Sequence, residues 1–143
     1  MHEEQRLQPL GRRLELNQIL TGEIAWSPFR PGIEIFRLHG DGLTGSSSAL
    51  LRYAPGAALP LHAHPGYEHI MVLSGSQSDE HGEYPAGTLV VNTPGSRHSV
   101  TSHEGCVVFV MWEAPVSFER LRGVHSAASA IDWLATSNPR ERK

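Results

Sequence analysis

The chain has 143 residues, 39% of them hydrophobic and 19% charged, with a formal net charge of -3 at pH 7. That length suffices for one domain with its own core, and the slight acidity offers no basic field to attract nucleic acid or an anionic membrane. Cys106 stands alone, which excludes an intrachain disulfide framework, and no stretch approaches the roughly 20 apolar residues of a membrane helix.

The first segment, residues 1–21, reads as an N-terminal arm. Its opening "MHEEQRLQPLGRRLEL" lacks a seven-residue apolar run and carries acids where a signal peptide carries bases, so a soluble, unprocessed, cytoplasmic chain is expected. The first dozen residues are expected to be loose, or "RRLELNQI" forms an arm strand on the outside of the fold. From about residue 22 to 116 the sequence is cut by turn formers: "SPFRPG", "HGDGLTG", "APG", "HPG", "SGS", "HGEYPAG", "NTPGS" and "HEG". Between them lie "IEIFRL", "SSALLRY", "YEHIMVLS", "TLVVN", "HSVTS" and "CVVFVMW", short and rich in β-branched and aromatic residues. Strands of this length at this spacing predict an all-β sandwich or barrel. In "HIMVL" and "VVFVMW" successive residues are all apolar, so both faces of each strand need cover, from the chain's own termini or from a second subunit; a homodimer is expected. The tail, residues 117–143, is read as short and helical, with Ser117 capping a turn, one or two turns in "SAASAIDWLAT" and a solvated "NPRERK". No repeat or linker divides the chain, and residues 1–143 form a single domain.

The chemistry concentrates in "GAALPLHAHPGYEHIMVLSG", Gly56 to Gly75. His62 and His64 are two apart and share one face of a strand. The direction of Glu68 depends on the intervening turn. A two-residue Pro65-Gly66 hairpin would send it to the wrong face, whereas a three-residue turn, Pro65 to Tyr67, sets it opposite His64. The second geometry is predicted, with Gly66 supplying a positive φ where one is required and His69 pointing away. His98, just after the Pro94-Gly95 turn, offers a fourth donor. Three imidazoles and a carboxylate inside an apolar barrel suit one divalent transition metal per chain: zinc, iron, manganese or nickel.

The run Gly56, five residues, His62-x-His64, three residues, Glu68, six residues, Gly75 resembles the first signature of the cupin superfamily at every defined position. The second signature is matched more loosely, by Gly87, Pro94, Gly95 and His98, with an extra residue before Gly95, Thr93 in place of proline and Ser102 where asparagine is frequent. Residues 29 to 112 are similar, more narrowly, to the ChrR-like cupins. The resemblance implies a cupin-type double-stranded β-helix, or jelly-roll barrel, and a zinc site made by His62, His64, Glu68 and His98. Anti-sigma activity is not implied, because it belongs to a separate helical domain for which this chain lacks the length and the cysteine.

Two functions follow. One is a metal-dependent enzyme, dioxygenase-like or isomerase-like, acting on a small organic molecule in the barrel, with Glu68 also available as a general base. The other is a non-catalytic ChrR-like module that binds or senses zinc or a small molecule. Elsewhere the bland readings prevail. His2, His39, His81, His103 and His125 face solvent, "SDEHGEY" is a solvated hairpin tip, and Cys106 is a small buried hydrophobe. Tyr53, Phe109 and Trp112 are core, and Arg52 and Arg97 carry no catalytic assignment.

Overall fold

The apolar pieces become strands in the computed structural model, which describes residues 11–118. One short helix, α1 (Leu16–Leu20), precedes ten strands: β1 (Ser27–Arg30), β2 (Ile33–His39), β3 (Ser47–Tyr53), β4 (Ala57–Ala63), β5 (Glu68–Asp79), β6 (Gly82–Pro85), β7 (Leu89–Asn92), β8 (Arg97–Ser102), β9 (Cys106–Trp112) and β10 (Ser117–Phe118). Every pairing is antiparallel. One wall of the barrel runs β1-β2-β3-β9-β5-β7; the other runs β10-β4-β8-β5-β6. This is the expected all-β jelly roll. Its interior is filled by Phe29, Ile33, Ile35, Leu51, Ile70, Val72, Val100, Val108 and Val110, the inward set of each alternating strand.

Strand β5 belongs to both walls. Its first half pairs with β9 and β7, its second half with β6 and β8, and the register with β9 slips between Val72 and Ser74. Gly75 follows the slip with φ +74°, and a Cβ there would lie 2.0 Å from the Gly105 carbonyl oxygen. The bend therefore requires glycine twice over, for its left-handed backbone and for the closeness of the neighbouring chain. "SGS", read from the sequence as a turn, is instead this bend inside one long strand.

Strands β3 and β9 are buried on both faces, as the apolar run of β9 requires. On the outer face Leu50 and Val107 pack against Ile19 of α1, flanked by Leu14, Trp26 and Phe109. The arm strand weighed as one alternative over "RRLELNQI" thus gives way at Leu16–Leu20 to a helix. Both edges of β3 and of β9 are already paired, so a segment crossing their outer face finds no backbone to pair with and must satisfy itself. It does so locally: the Glu15 N–H donates to Gln18 Oε1 at 3.0 Å and the Thr21 hydroxyl donates to the Asn17 carbonyl at 2.8 Å. Ser117 and Phe118, expected to begin a helical tail, pair with Ala63 and His62 as a strand; the remainder of that tail lies outside the described residues.

The two signature glycines differ in what they tolerate. Gly56 has φ +87° with nothing near its would-be Cβ. Gly56→Ala is expected to lose only the left-handed backbone penalty, about 1–2 kcal/mol. Gly75→Ala is expected to lose at least about 3 kcal/mol, because clash adds to strain. Urea denaturation of both variants checks the order, and equal losses would contradict the close approach.

Candidate metal centre

His62 lies on β4 directly opposite His98 on β8. The β4 register slips between Leu59 and His62, around Pro60, which has no N–H for the ladder. Leu59 and His62 consequently both face inward, with Pro60 and Leu61 exposed between them. His64 continues the same wall, its backbone N–H donating to the Ser96 carbonyl at 2.9 Å and its carbonyl accepting from Gly95 N–H at 2.7 Å. The Pro94-Gly95 turn thus holds His64 beside His98. All three rings are buried, with centroids 4.7 to 5.2 Å apart.

Glu68 arrives from the other wall. The sequence placed His64 and Glu68 opposite one another across a hairpin, but β4 and β5 do not pair: β4 pairs with β8 and β10, and β5 starts between β7 and β9. Residues 65–67 cross the mouth of the barrel. There the Tyr67 N–H donates to Glu113 Oε1 and the Glu113 N–H donates to the Tyr67 carbonyl, both at 2.9 Å. Gly66 is needed there for space: its φ is not positive, but a Cβ would lie 2.9 Å from Glu113 Cβ. The carboxylate still comes in, its Oε1 2.9 Å from His64 Nε2 and 3.7 Å from His98 Nε2.

Glu68 is fixed by its two cross-strand neighbours. Asn92 on β7 and Trp112 on β9 are its register partners, so their side chains share its face. Asn92 Nδ2 donates to Oε1 at 2.9 Å and Trp112 Nε1 donates to Oε2 at 2.7 Å. Trp112 is therefore core, as expected, and also a polar partner of the site. Burial alone would raise the Glu68 pKa, yet the surrounding imidazoles outweigh it and hold the carboxyl below its ordinary range.

Each imidazole spends its one N–H outward. His62 Nδ1 lies 2.8 Å from the Pro60 carbonyl and His98 Nδ1 lies 3.0 Å from Asp79 Oδ2, acceptors that can only receive. His64 Nδ1 lies 3.0 Å from Ser96 Oγ, whose own hydrogen goes to the Thr93 carbonyl at 2.6 Å, so this oxygen too accepts. All three Nε2 atoms consequently carry bare lone pairs. These atoms lie within 4.8 Å of one another; that of His98 is buried without a hydrogen-bond partner, and that of His64 faces Glu68 Oε1 at 2.9 Å. With the rings neutral, these lone pairs converge beside the carboxylate, an arrangement relieved by a cation or by a proton shared between His64 and Glu68 across their 2.9 Å contact; the residues fit a metal ion.

Of the residues singled out from sequence, the structure brings His62, His64, Glu68 and His98 together. His69 points elsewhere, with its ring against Tyr67. Sequence reading missed Asp79, Asn92 and Ser96. "SDEHGEY" is not only a solvated tip, since the Asp79 side chain is 4% exposed and bonded to His98. Asn92 and Trp112 each close an apolar strand, a signal readable only once their register with Glu68 is known. Cys106 is buried and its thiol is pushed up to about 11 by burial, which makes it inert. Arg52 is engaged with Glu34 at 2.6 Å on the outer face.

The family model described as the ChrR Cupin-like domain matches residues 16–115. The chain is 29% identical over 112 residues to the anti-sigma-E factor ChrR of Cereibacter sphaeroides, a match covering 76% of this chain and 48% of that protein. The chain thus spans about half the length of that curated relative. Among solved structures, the acetylacetone dioxygenase of Acinetobacter johnsonii superposes with a TM-score of 0.67 at 19% identity, over 90% of this chain and 93% of that one. The Rhodobacter sphaeroides SigE complex with the anti-sigma factor ChrR gives a TM-score of 0.55 at 24% identity, covering 62% of this chain and 48% of that one. Likeness at these identities carries the fold. No helix among the described residues is long and apolar enough to cross a membrane.

Burial lowers the His62 imidazole to about 4 from an ordinary 6.5. Between those values the unfolded chain takes up a proton that the folded chain refuses, so stability falls with pH through that window. Protonation of Glu68, whose folded pKa is lowered, removes more stability in the same direction as the pH falls further. Metal-free protein is expected to lose about 3 kcal/mol from His62 between pH 6.5 and 4. Urea titrations across that range check this, and a flat profile would contradict a buried neutral His62.

Proposed function

Since this chain belongs to the ChrR cupin-like domain family, we propose that it holds one divalent first-row transition ion through His62, His64, His98 and Glu68 and acts as a metal-dependent enzyme on a small organic molecule. The observation that carries this reading is the set of inward Nε2 lone pairs beside a cavity. That cavity, about 30 Å³, is lined by His62, Glu68 and His98 at one end and by apolar residues such as Phe29, Ile70, Val108 and Phe118. It has room for roughly two water-sized ligands. His62, His64, His98 and Glu68 would hold the ion and leave it room for small exchangeable ligands.

An ion held in such a site supplies Lewis acidity and, where it is redox-active, one-electron chemistry toward a small ligand. The protein's part is orientation and exclusion of water. Apolar walls would admit dioxygen or the reacting end of a small substrate, and the buried Phe118, its ring tilted against that of His62 with centroids 5.3 Å apart, covers this ligand. We assign Glu68 the ligand role. Acting as a mobile base would break its bonds to Asn92 and Trp112, each a hydrogen bond to a charged group worth about 1.5–3 kcal/mol. Dioxygenation is the favoured reaction class, in keeping with the acetylacetone dioxygenase that shares the fold.

A second reading rests on the ChrR likeness: a closed zinc module that senses or binds a small molecule and answers to a protein partner. We propose that the homodimer expected from the sequence forms at β7, where Leu89 and Val91 are exposed on a strand that pairs only with β5 among the described residues. Sedimentation at micromolar concentration tests it, and a Leu89→Lys, Val91→Lys variant is expected to be monomeric.

Elemental analysis of untagged, chelator-free protein, read with oxygen consumption on small diketones, phenols and thiols, separates the two functions. About one equivalent of iron or manganese with oxygen uptake is expected; a full equivalent of tight zinc without turnover would select the sensing module. His62→Ala is expected to abolish stoichiometric metal, and retention of a full equivalent at unchanged affinity would refute the ligand set. Trp112→Phe, which removes one donor to Glu68, is expected to cost about 1–3 kcal/mol of stability and to weaken metal binding, as thermal melts and chelator competition would report.

A further inference from the structure

The three imidazoles are not equivalent. His62 and His64 place their N–H groups on neutral oxygens, the Pro60 carbonyl and the Ser96 hydroxyl, whereas His98 places its own on a carboxylate. That carboxylate is itself anchored. Asp79 Oδ1 accepts from the Tyr84 hydroxyl and from the His81 backbone N–H, each at 2.8 Å, leaving Oδ2 for His98 at 3.0 Å. Asp79 and Gly82 are register partners at the end of the β5–β6 hairpin, so the tip is tight and Asp79 has little freedom to withdraw. The neighbouring Glu80 grips the other side of the same strand position: its oxygens accept from Ser99 N–H at 3.0 and 3.1 Å and from the Ser99 hydroxyl. The acidic hairpin tip therefore clasps β8 at His98, through the side chain on the inner face and through the adjacent residue on the outer one.

Only the first of these contacts reaches the imidazole. A carboxylate accepting the distal N–H fixes the ring's tautomer and its plane, and makes the other nitrogen a stronger donor to a cation than a neutral acceptor would. We propose that Asp79 is a positioning residue of the metal centre, acting through His98, and that Tyr84 holds it in place. The inference rests on reading the cluster as a metal site, and it gives the solvated-looking "SDEHGEY" loop a task. Together Asp79 and Glu68 set two carboxylates around three neutral imidazoles, so that a divalent ion leaves the site without net charge. Glu80, on the exposed side, steadies the strand without touching the ring.

The test uses the full chain, metal-free, with zinc affinity measured by chelator competition, cobalt(II) absorption as a spectroscopic probe and thermal melts without metal. Asp79→Asn keeps the size of the side chain and an acceptor while removing the charge. It is expected to bind zinc about 10–100-fold more weakly and to shift the cobalt ligand-field bands, with the metal-free melting temperature little changed. Tyr84→Phe leaves the carboxylate in place and is expected to show a smaller loss in the same sense. Glu80→Gln is expected to bind zinc like the parent. Asp79→Asn with parental affinity and spectrum overturns the inference, and so does Glu80→Gln if it weakens zinc as much as Asp79→Asn does. If Asp79→Asn fails to fold, parental zinc affinity in Tyr84→Phe overturns it instead. Failure of the parent protein to take up any metal would strike the metal reading itself, a separately visible result.

Discussion

An imidazole buried among apolar side chains has one N–H to place, and the rest of the polar end of this barrel is arranged around where three such hydrogens go. Each points away from the others: onto a proline carbonyl two residues back, onto a serine whose own hydrogen is already spent, and onto an anchored aspartate. Had any one of them turned inward, it could have bonded Glu68 and closed the site as a self-satisfied polar network. Instead the lone pairs converge. The local irregularities serve that outcome. The slip around Pro60 turns His62 inward and leaves a carbonyl free to receive its hydrogen, and the Thr93–Ser96 turn positions both the His64 backbone and the serine that fixes its ring.

The fold was largely legible because its strands alternate and its turns use glycine and proline where the backbone demands them. The middle strands β2, β3, β8 and β9 lie within a residue of where the apolar runs place them. What escaped were strands hidden inside turn-like strings, β1 in "SPFRPG" and β6 in "HGEYPAG", since four residues rich in proline and glycine carry little periodicity. The long β5 escaped for a related reason. Gly75 looks like a stop, and only the proximity of the Gly105 carbonyl shows that it is a bend.

The site divides in the same way. Candidate donors are legible because a metal limits them to a few residue types at short spacings, and the structure brings the three histidines together with Glu68 beside them. The path of the chain between His64 and Glu68 was not legible. Alternation along a strand says which face a residue takes but not which strand becomes its neighbour, and a hairpin and a crossing between walls demand the same three residues. Supporting groups were harder still. Asp79 lies 19 positions from His98, Asn92 lies 24 from Glu68 and Trp112 lies 44 from it, and nothing local marks them as partners. An aspartate in an acidic, glycine-containing loop has every compositional reason to be solvated; the cross-strand register alone turns it inward.

The donors come from different walls. Three belong to β4, β8 and the turn beside them, and the carboxylate belongs to the first residue of β5 on the opposite wall. An ion shared among them would be a rivet between two layers that otherwise meet through apolar contact at this end of the barrel. A half-formed barrel would offer three imidazoles without their counter-charge, or the carboxylate without its cation, and could hold the ion only weakly. Occupancy would then record that the two layers had mated in register, and an ion lost from a finished barrel would make this polar cluster the place where the layers first part.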